Sequence, residues 1–299
     1  MQTDAHDRTS ITQLATQHGL DLIPETITIN EVGLDFRVAI ATAHNGERWV
    51  LRIPRRSDVM PRATTEGRLL QRVAPLLDVA VPDWRIQSSA LIAYPLLPGE
   101  PGLSVGLDGS LDWHVDVEDP IYTHSLGEFL AQLHSIDRQQ VADTGIDIRT
   151  PDEVRQAIAD DITQVSSEFQ VAASLLDRWN TWLADDGFWP TTSVLTHGEV
   201  YPGHLLLTNQ QIVGVLDWTT AAIGDPAQDF AFHRVLMSDK AFAATVQRYI
   251  EYGGNVGPKF AEHCTELYSI SPINYGIYAL TTGDPAHVRA AAAALNPEA

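Results

Sequence analysis

The chain has 299 residues, 44% of them hydrophobic, which is enough for one large domain or two lobes with a buried core. Its 39 acidic and 19 basic residues give a formal net charge of -20, which argues against a nucleic-acid groove or an anionic membrane surface and favours a cationic partner. A single cysteine excludes a disulfide framework, and the lack of a signal-peptide pattern or a membrane-length apolar run leads us to expect a cytoplasmic protein.

The first part of the chain predicts a small β-rich region. A short helix over residues 10–19 is followed by strands over residues 26–30 and 36–43. An Asn-Gly pair then predicts a hairpin into a strand over residues 48–53, because both residues tolerate a positive φ. Arg52 stands among the apolar residues of this strand. That pattern is more typical of an edge residue reaching toward solvent than of a ligand-binding one.

A helix and two more strands complete this region. Apolar residues at helical spacing predict a helix over residues 64–77, with Glu66 near its start. Strand-type runs follow at residues 84–87 and 90–97, and two prolines and a glycine then stiffen the connection. We therefore predict one lobe over residues 1–97 and a second over residues 98–299.

The second lobe is predicted to be mostly helical. Thr150-Pro151-Asp152-Glu153 combines an N-cap residue, a proline at the first helical position and a glutamate three residues after the cap, which predicts a helix start. The other predicted helices lie at residues 124–136, 175–183, 227–237, 240–252, 258–268 and 284–295.

One stretch of the second lobe concentrates acid/base and metal-ligand residue types. Two apolar runs around the polar turn at residues 208–211 predict a β-hairpin. Because a hairpin brings its open ends together, we expect His204 and Asp217 side by side, with His197 and Glu199 on the glycine-containing loop just upstream. A divalent cation and a proton acceptor could both be placed there. A β-rich lobe, a stiff connector and a helical lobe with such a hairpin suit phosphoryl transfer.

Stretches along nearly the whole chain match the pattern of one kinase family. They are residues 30–36, 49–56, 81–84, 91–95, 126–134 and 197–204, together with Asp217-Trp218 and Asp225-Pro226. On these stretches the chain resembles the aminoglycoside/macrolide phosphotransferases, and the macrolide 2′-phosphotransferases in particular. The resemblance implies an α+β, protein-kinase-like two-lobe fold with a small β-rich N-lobe and a larger, mostly helical C-lobe.

The resemblance also implies roles for the loop and hairpin residues. Glu199 takes the position of the acid that orients or deprotonates the substrate hydroxyl, where the family has aspartate. His204 and Asp217 take the metal-binding positions and would hold Mg²⁺ on the nucleotide phosphates. His197 is expected to brace the loop. The extra methylene of glutamate displaces the carboxylate by about 1 Å, which predicts weak to moderate activity.

In the N-lobe, the resemblance implies phosphate-binding positions. Arg52 matches the strand-borne lysine of the family, and Glu66 matches its helix partner. The glycine loop of the family is reduced here to the single glycine Gly33. An arginine there departs from most kinases, but a guanidinium can still bridge a carboxylate and phosphate oxygens.

The nucleotide base is expected at the connection after the last N-lobe strand. Tyr94 matches the bulky position behind the base, while Pro95 would accept and Leu97 donate a backbone hydrogen bond to it. A tyrosine there disfavours a deeply seated adenine. Together with the usage of the family, this makes GTP the expected donor, with ATP as the alternative.

The activity implied by the resemblance is transfer of the γ-phosphate to the 2′-hydroxyl of the amino sugar of a macrolide, which inactivates the antibiotic. We expect a monomer that takes this cationic substrate. Residues 271–275, interpreted as an irregular stretch between helices, are candidates for lining the acceptor pocket, with core packing as the alternative.

Two alternatives stay open. The chain could phosphorylate another small molecule, such as an aminoglycoside or a metabolite, because fold alone does not fix the substrate. It could also be a weakly active or non-catalytic relative, because Glu199 replaces the aspartate. A zinc deaminase, suggested by His197-Gly198-Glu199, is excluded because that chemistry needs two more cysteine ligands.

Overall fold

The computed structural model describes residues 5–31, 35–106 and 109–297. Its strands are β1 (Thr28–Asn30), β2 (Phe36–Thr42), β3 (Arg48–Pro54), β4 (Ile86–Gln87), β5 (Ile92–Pro95), β6 (Glu100–Pro101), β7 (Leu103–Val105), β8 (Leu111–Trp113), β9 (Asp147–Ile148), β10 (Val194–Thr196), β11 (Leu205–Thr208), β12 (Gln211–Val215) and β13 (Ala222–Gly224). Its α-helices are α1 (Ala5–Gln17), α2 (Met60–Val73), α3 (Pro120–His134), α4 (Pro151–Glu168), α5 (Ala173–Ala184), α6 (Ala231–Leu236), α7 (Asp239–Glu251), α8 (Phe260–Ser269), α9 (Ser271–Thr282) and α10 (Pro285–Leu295).

These elements form two units that are each discontinuous in sequence. Unit 1 consists of Met1–Asp116, Gln139–Ile146 and Tyr201–Thr220, and unit 2 of Val117–Arg138, Asp147–Val200 and Ala221–Ala299. Within the described ranges, no helix combines the length and the apolar character needed to cross a membrane.

Unit 1 is built on a five-stranded sheet in the order β1-β2-β3-β5-β4, with antiparallel neighbours throughout. Successive residues of a strand face opposite sides, so Leu51 joins the cluster that α1 covers, while Val50 joins the cluster around α2. The helix predicted over residues 64–77 begins earlier, at Met60, and gives way to a 3₁₀ turn at Ala74–Leu76. Pro75 explains this end, because proline cannot continue the α-helical hydrogen-bond pattern.

The interpretation of Arg52 as an edge residue is wrong. Strand β3 lies between β2 and β5, and Arg52 is only 8% exposed. Its charge is tolerated inside the unit because Glu66 on α2 lies against it.

The predicted hairpin is present in unit 1 as β11 and β12, and β6 adds a third antiparallel strand beside β11. Its two-residue turn places Asn209 and Gln210 at φ values of 51° and 66°, the left-handed pair that matches the twist of adjoining strands. Gly99 lies tightly against this hairpin, since a Cβ there would come within 2.9 Å of the Leu207 carbonyl oxygen. The turn pairs Thr208 with Gln211, and the register then shifts between Leu206 and Leu207 before the open end, where His204 and Asp217 lie just outside the two strands.

Unit 2 is mostly helical, with a three-stranded sheet in the order β10-β13-β9. Helices α3 and α7 approach closely at Gly127, where a Cβ would lie 2.6 Å from the Thr245 carbonyl oxygen. The predicted start of α4 is confirmed: the Thr150 side chain accepts from the Glu153 amide, and the Glu153 carboxylate accepts from the Thr150 amide. The helix predicted over residues 227–237 is a 3₁₀ turn, Pro226–Asp229, followed by α6.

The interpretation of residues 271–275 as irregular is wrong, because these residues form the first turns of α9. Pro272 stands in the first turn, where its missing N–H costs nothing, and Gly283 at φ 65° follows the last residue of the helix. Both are helix-boundary signals.

Candidate active site

The open end of the β11–β12 hairpin brings His204 and Asp217 together within unit 1. The Nε2 atom of His204 lies 3.7 Å from Oδ2 of Asp217, and the Leu216 amide donates to the His204 carbonyl oxygen at 2.8 Å. Asp217 has a φ of 58°, a left-handed conformation that costs a non-glycine residue about 1–2 kcal/mol. Such strain is typical of functional positions, where the surrounding structure holds it in place.

Arg52 and Glu66 form a buried ion pair in the same unit. Nη1 of Arg52 lies 2.7 Å from Oε1 of Glu66, and the guanidinium lies over the Phe36 ring, 4.3 Å from its centroid. Burial opposes the charged form of Arg52, but the adjacent Glu66 carboxylate outweighs it and raises the pKa of Arg52. The guanidinium is therefore a permanent, preoriented cation.

Thr219 joins this ion pair to Asp217, a link that sequence reasoning missed. Its Oγ1 lies 2.7 Å from Oδ1 of Asp217 and 3.1 Å from Oε2 of Glu66. One hydroxyl proton is thus shared between two carboxylates, and the network runs from Arg52 to Asp217. A threonine two residues after an aspartate is a common local hydrogen-bonding pattern, and it was the only sequence signal for this contact.

The residues predicted to hold the base lie at the end of β5. Tyr94 is buried, and burial raises the pKa of Tyr94 to about 12, so its phenol is neutral at physiological pH. Pro95 is the last residue of the strand, and Leu97 packs in the same apolar cluster as Tyr94. Gly33, the predicted glycine-loop residue, lies outside the described residues.

The loop that carries Glu199 belongs to unit 2 and is held by Asp229. Oδ2 of Asp229 accepts the His197 amide at 2.9 Å, and Oδ1 accepts the Gly198 amide at 2.7 Å. The Glu199 amide donates to Nδ1 of His197 at 3.3 Å, and Gly198 has a φ of 88°. His197 is fully buried, and its ring accepts this hydrogen bond from the loop, which is the kind of bracing contact expected from the sequence.

The donor set at the hairpin fits a cation that arrives with a nucleotide. In the part of the chain that the structure describes, no group of three or more His, Cys, Asp or Glu side chains could hold a metal ion. His204 and Asp217 supply one imidazole nitrogen and one carboxylate, whereas Mg²⁺ prefers six oxygens and commonly takes most of them from phosphates and water. The pair therefore suits a metal completed by substrate rather than a resident metal.

The chain belongs to the phosphotransferase enzyme family APH, whose family model matches residues 26–267. Among solved structures it is similar to the macrolide 2′-phosphotransferase MphH from Brachybacterium faecium, in its apoenzyme form. The two are 55% identical with a TM-score of 0.95, covering 98% of this chain and 99% of that chain. A macrolide 2′-phosphotransferase type I is 38% identical with a TM-score of 0.91, covering 98% of both chains.

A third relative is the uncharacterized protein YcbJ of Bacillus subtilis (strain 168). It is 37% identical over 291 residues, which cover 96% of this chain and 95% of that protein. The predicted family and the predicted protein-kinase-like α+β fold are thereby confirmed, with an antiparallel sheet in the N-terminal part and helices in the C-terminal part.

Proposed function

We propose that this protein is a macrolide 2′-phosphotransferase, which transfers the γ-phosphoryl group of a nucleoside triphosphate to the 2′-hydroxyl of the amino sugar and so inactivates the antibiotic. The observation that carries the proposal is the 55% identity to MphH over 98% of the chain. The site residues support it, because phosphoryl transfer requires a cation near the phosphates, a metal-binding carboxylate and an acid for the acceptor hydroxyl. Arg52, Asp217 and Glu199 are residues of these types.

On the donor side, residues 1–97 form the nucleotide-binding lobe. Arg52 contacts the phosphates and Glu66 keeps its guanidinium oriented, and Gly33 belongs to the same phosphate-binding set. Tyr94 closes the back of the base pocket, and the backbone of Pro95 and Leu97 binds the base edge. Because the tyrosine limits the depth of that pocket, GTP is the preferred donor over ATP.

His204 and Asp217 would hold Mg²⁺, which would neutralise charge on the phosphate oxygens. Thr219 keeps the Asp217 carboxylate from turning away, since its hydroxyl occupies one carboxylate oxygen. The strained backbone of Asp217 is maintained by the same contact and by the hairpin.

Glu199 orients the acceptor hydroxyl and takes its proton as that oxygen bonds to the γ-phosphorus and the bond from phosphorus to the leaving nucleoside diphosphate breaks. The transition state of phosphoryl transfer is loose, so positioning of the hydroxyl matters more than the strength of the base. A glutamate can therefore serve where the family has aspartate, at a lower rate.

Residues 98–299 form the acceptor lobe. The dimethylamino group of a macrolide is cationic at physiological pH, and the net charge of -20 attracts it. The protein works in the cytoplasm as a monomer and has no nucleic-acid partner.

The test is to incubate the pure protein with Mg²⁺, GTP or ATP, and erythromycin, and to look for a product heavier by one phosphoryl group by mass spectrometry. Kanamycin replaces erythromycin in a parallel reaction. We expect the erythromycin product, formed faster with GTP. A product with kanamycin alone, or no product with macrolides of either ring size, would contradict the proposal.

A further inference from the structure

Buried hydrogen bonds connect helix α7 to the loop that carries Glu199, all within unit 2. The Tyr249 hydroxyl on α7 lies 2.9 Å from Nδ1 of His134, the last residue of α3. Nε2 of His134 lies 3.0 Å from Oδ2 of Asp229, which also accepts the His197 amide. The other oxygen of Asp229 accepts the Gly198 amide. These groups form a relay whose members are Tyr249, His134 and Asp229.

The direction of each hydrogen bond in the relay follows from its chemistry. A carboxylate only accepts, so His134 donates from Nε2 to Asp229. In a neutral imidazole the other nitrogen is then an acceptor, and the Tyr249 hydroxyl donates to Nδ1. Burial raises the pKa of Tyr249, so its phenol keeps the proton that this bond needs. With a neutral imidazole, the relay therefore runs in one direction, from Tyr249 through His134 to Asp229.

The relay ends on the two amides that immediately precede Glu199. Both oxygens of the Asp229 carboxylate are committed to this loop, so a rotation of the carboxylate would move both amides together. A displacement of about 1 Å at a reacting group can cost roughly 10²-fold in rate. The imidazole of His134 contacts Oδ2 from the side of α3 and so opposes that rotation.

We propose that His134 and Tyr249 are positioning residues for phosphoryl transfer. They fix the orientation of the Asp229 carboxylate, and through it the place of Glu199. This inference rests on the proposed function.

Unit 2 contains a second relay of the same kind. Nε1 of Trp182 donates to Nδ1 of His263 at 3.0 Å, and Nε2 of His263 lies 2.7 Å from Oδ2 of Asp225. The other oxygen of Asp225 accepts the Ala227 amide at the start of a 3₁₀ turn. That turn, Pro226–Asp229, also carries Asp229, so the second relay is not independent of the first. Thr245 on α7 provides the control instead, because its buried hydroxyl lies one turn before Tyr249 and donates to the Ala241 carbonyl oxygen of the same helix.

A cavity of about 380 Å³ in unit 2 makes a rescue experiment feasible. His134 and Tyr249 line it, and exposed lining residues such as Gly187 and Gly253 open it to solvent. Replacing His134 by alanine therefore leaves a space that free imidazole can reach from outside.

The experiment compares His134→Ala, Tyr249→Phe and the control Thr245→Val. We expect kcat to fall about tenfold or more in His134→Ala and Tyr249→Phe, with little change in KM for nucleotide or macrolide, because binding is separate from the position of Glu199. Added imidazole should restore kcat in His134→Ala. Thr245→Val, which keeps the shape of the side chain, should leave kcat per folded molecule unchanged.

A second readout does not depend on the substrate. Amide hydrogen exchange at His197 and Gly198 should be faster in Tyr249→Phe and His134→Ala than in the wild type, and unchanged in Thr245→Val. If the wild type shows no macrolide kinase activity, the proposed function fails and the exchange measurement still decides the relay. Should His134→Ala not fold, Tyr249→Phe suffices, since it keeps the ring and removes only the hydroxyl. Wild-type kcat together with wild-type exchange in Tyr249→Phe would overturn the inference.

Discussion

Replacing Thr219 by valine removes one hydroxyl and leaves the shape of the side chain nearly unchanged. The lost group is 2.7 Å from Oδ1 of Asp217 and 3.1 Å from Oε2 of Glu66. Glu66 is 1% exposed, so water cannot take the place of the hydroxyl, whereas the Asp217 side chain is 42% exposed and can be hydrated. Most of the loss in folding stability therefore comes from the unsatisfied carboxylate oxygen of Glu66.

A hydrogen bond to a buried charged group contributes about 1.5–3 kcal/mol, so we expect Thr219→Val to destabilise the protein by about 2 kcal/mol. For a chain of this size, that corresponds to a fall of about 4 °C in the melting temperature. Asp217 also loses the contact that fixes its carboxylate. We therefore expect the Mg²⁺ concentration that gives half-maximal activity to rise about tenfold, which corresponds to about 1.4 kcal/mol.

The measurements are thermal unfolding and initial rates across a Mg²⁺ titration. Thr219→Ser keeps the hydroxyl and should retain most of both properties. Thr265→Val is the control for loss of a threonine hydroxyl elsewhere, since Thr265 donates only to a helical carbonyl at 3.0 Å. The reasoning would be refuted by a Thr219→Val protein with wild-type stability and wild-type Mg²⁺ dependence.

Three further predictions concern the acid, a buried histidine and the donor. Glu199→Ala should abolish phosphorylation and Glu199→Asp should raise turnover, whereas unchanged or lower turnover in Glu199→Asp would mean that the loop has adapted to glutamate or that residue 199 is not the acid. Burial lowers the pKa of His233 from 6.5 to about 3, so between these pH values the unfolded chain binds a proton that the folded chain does not. As the pH is lowered from above 6.5 to 5, the free energy of unfolding should therefore decrease by about 2 kcal/mol. His233→Gln should remove that part of the decrease when unfolding by urea is measured across this pH range. An equal dependence of the unfolding free energy on pH in both proteins would contradict this. At equal concentrations GTP should support faster turnover than ATP, and a clear ATP preference would refute the argument from the size of Tyr94.

Features set by neighbouring residues were predictable from the sequence. The hairpin follows from two short apolar runs and the Asn209-Gln210 turn, and the start of α4 follows from a capping box within four residues. Both signals act over a few residues, so no knowledge of the rest of the fold was needed.

Features set by tertiary contacts were not predictable in the same way. The environment of Arg52 depends on Glu66, fourteen residues later in sequence, so the local pattern gave a misleading edge interpretation and only the family resemblance paired the two. Helix α9 contains Gly276, a poor helix former, but a Cβ there would lie 3.0 Å from Val165, so close packing against α4 explains the glycine. The contact of His134 with Asp229 joins residues 95 positions apart, and no sequence spacing indicates it.

The central claim is that this chain phosphorylates a macrolide at the 2′-hydroxyl with Glu199 as the acid. The most direct test is to isolate the product formed from erythromycin by the wild type and by Glu199→Gln, and to locate the phosphate by phosphorus–proton correlation NMR. The account predicts a single phosphate on the 2′-oxygen with the wild type and little or no product with Glu199→Gln. A phosphate on another oxygen, or equal product from the two proteins, would contradict it.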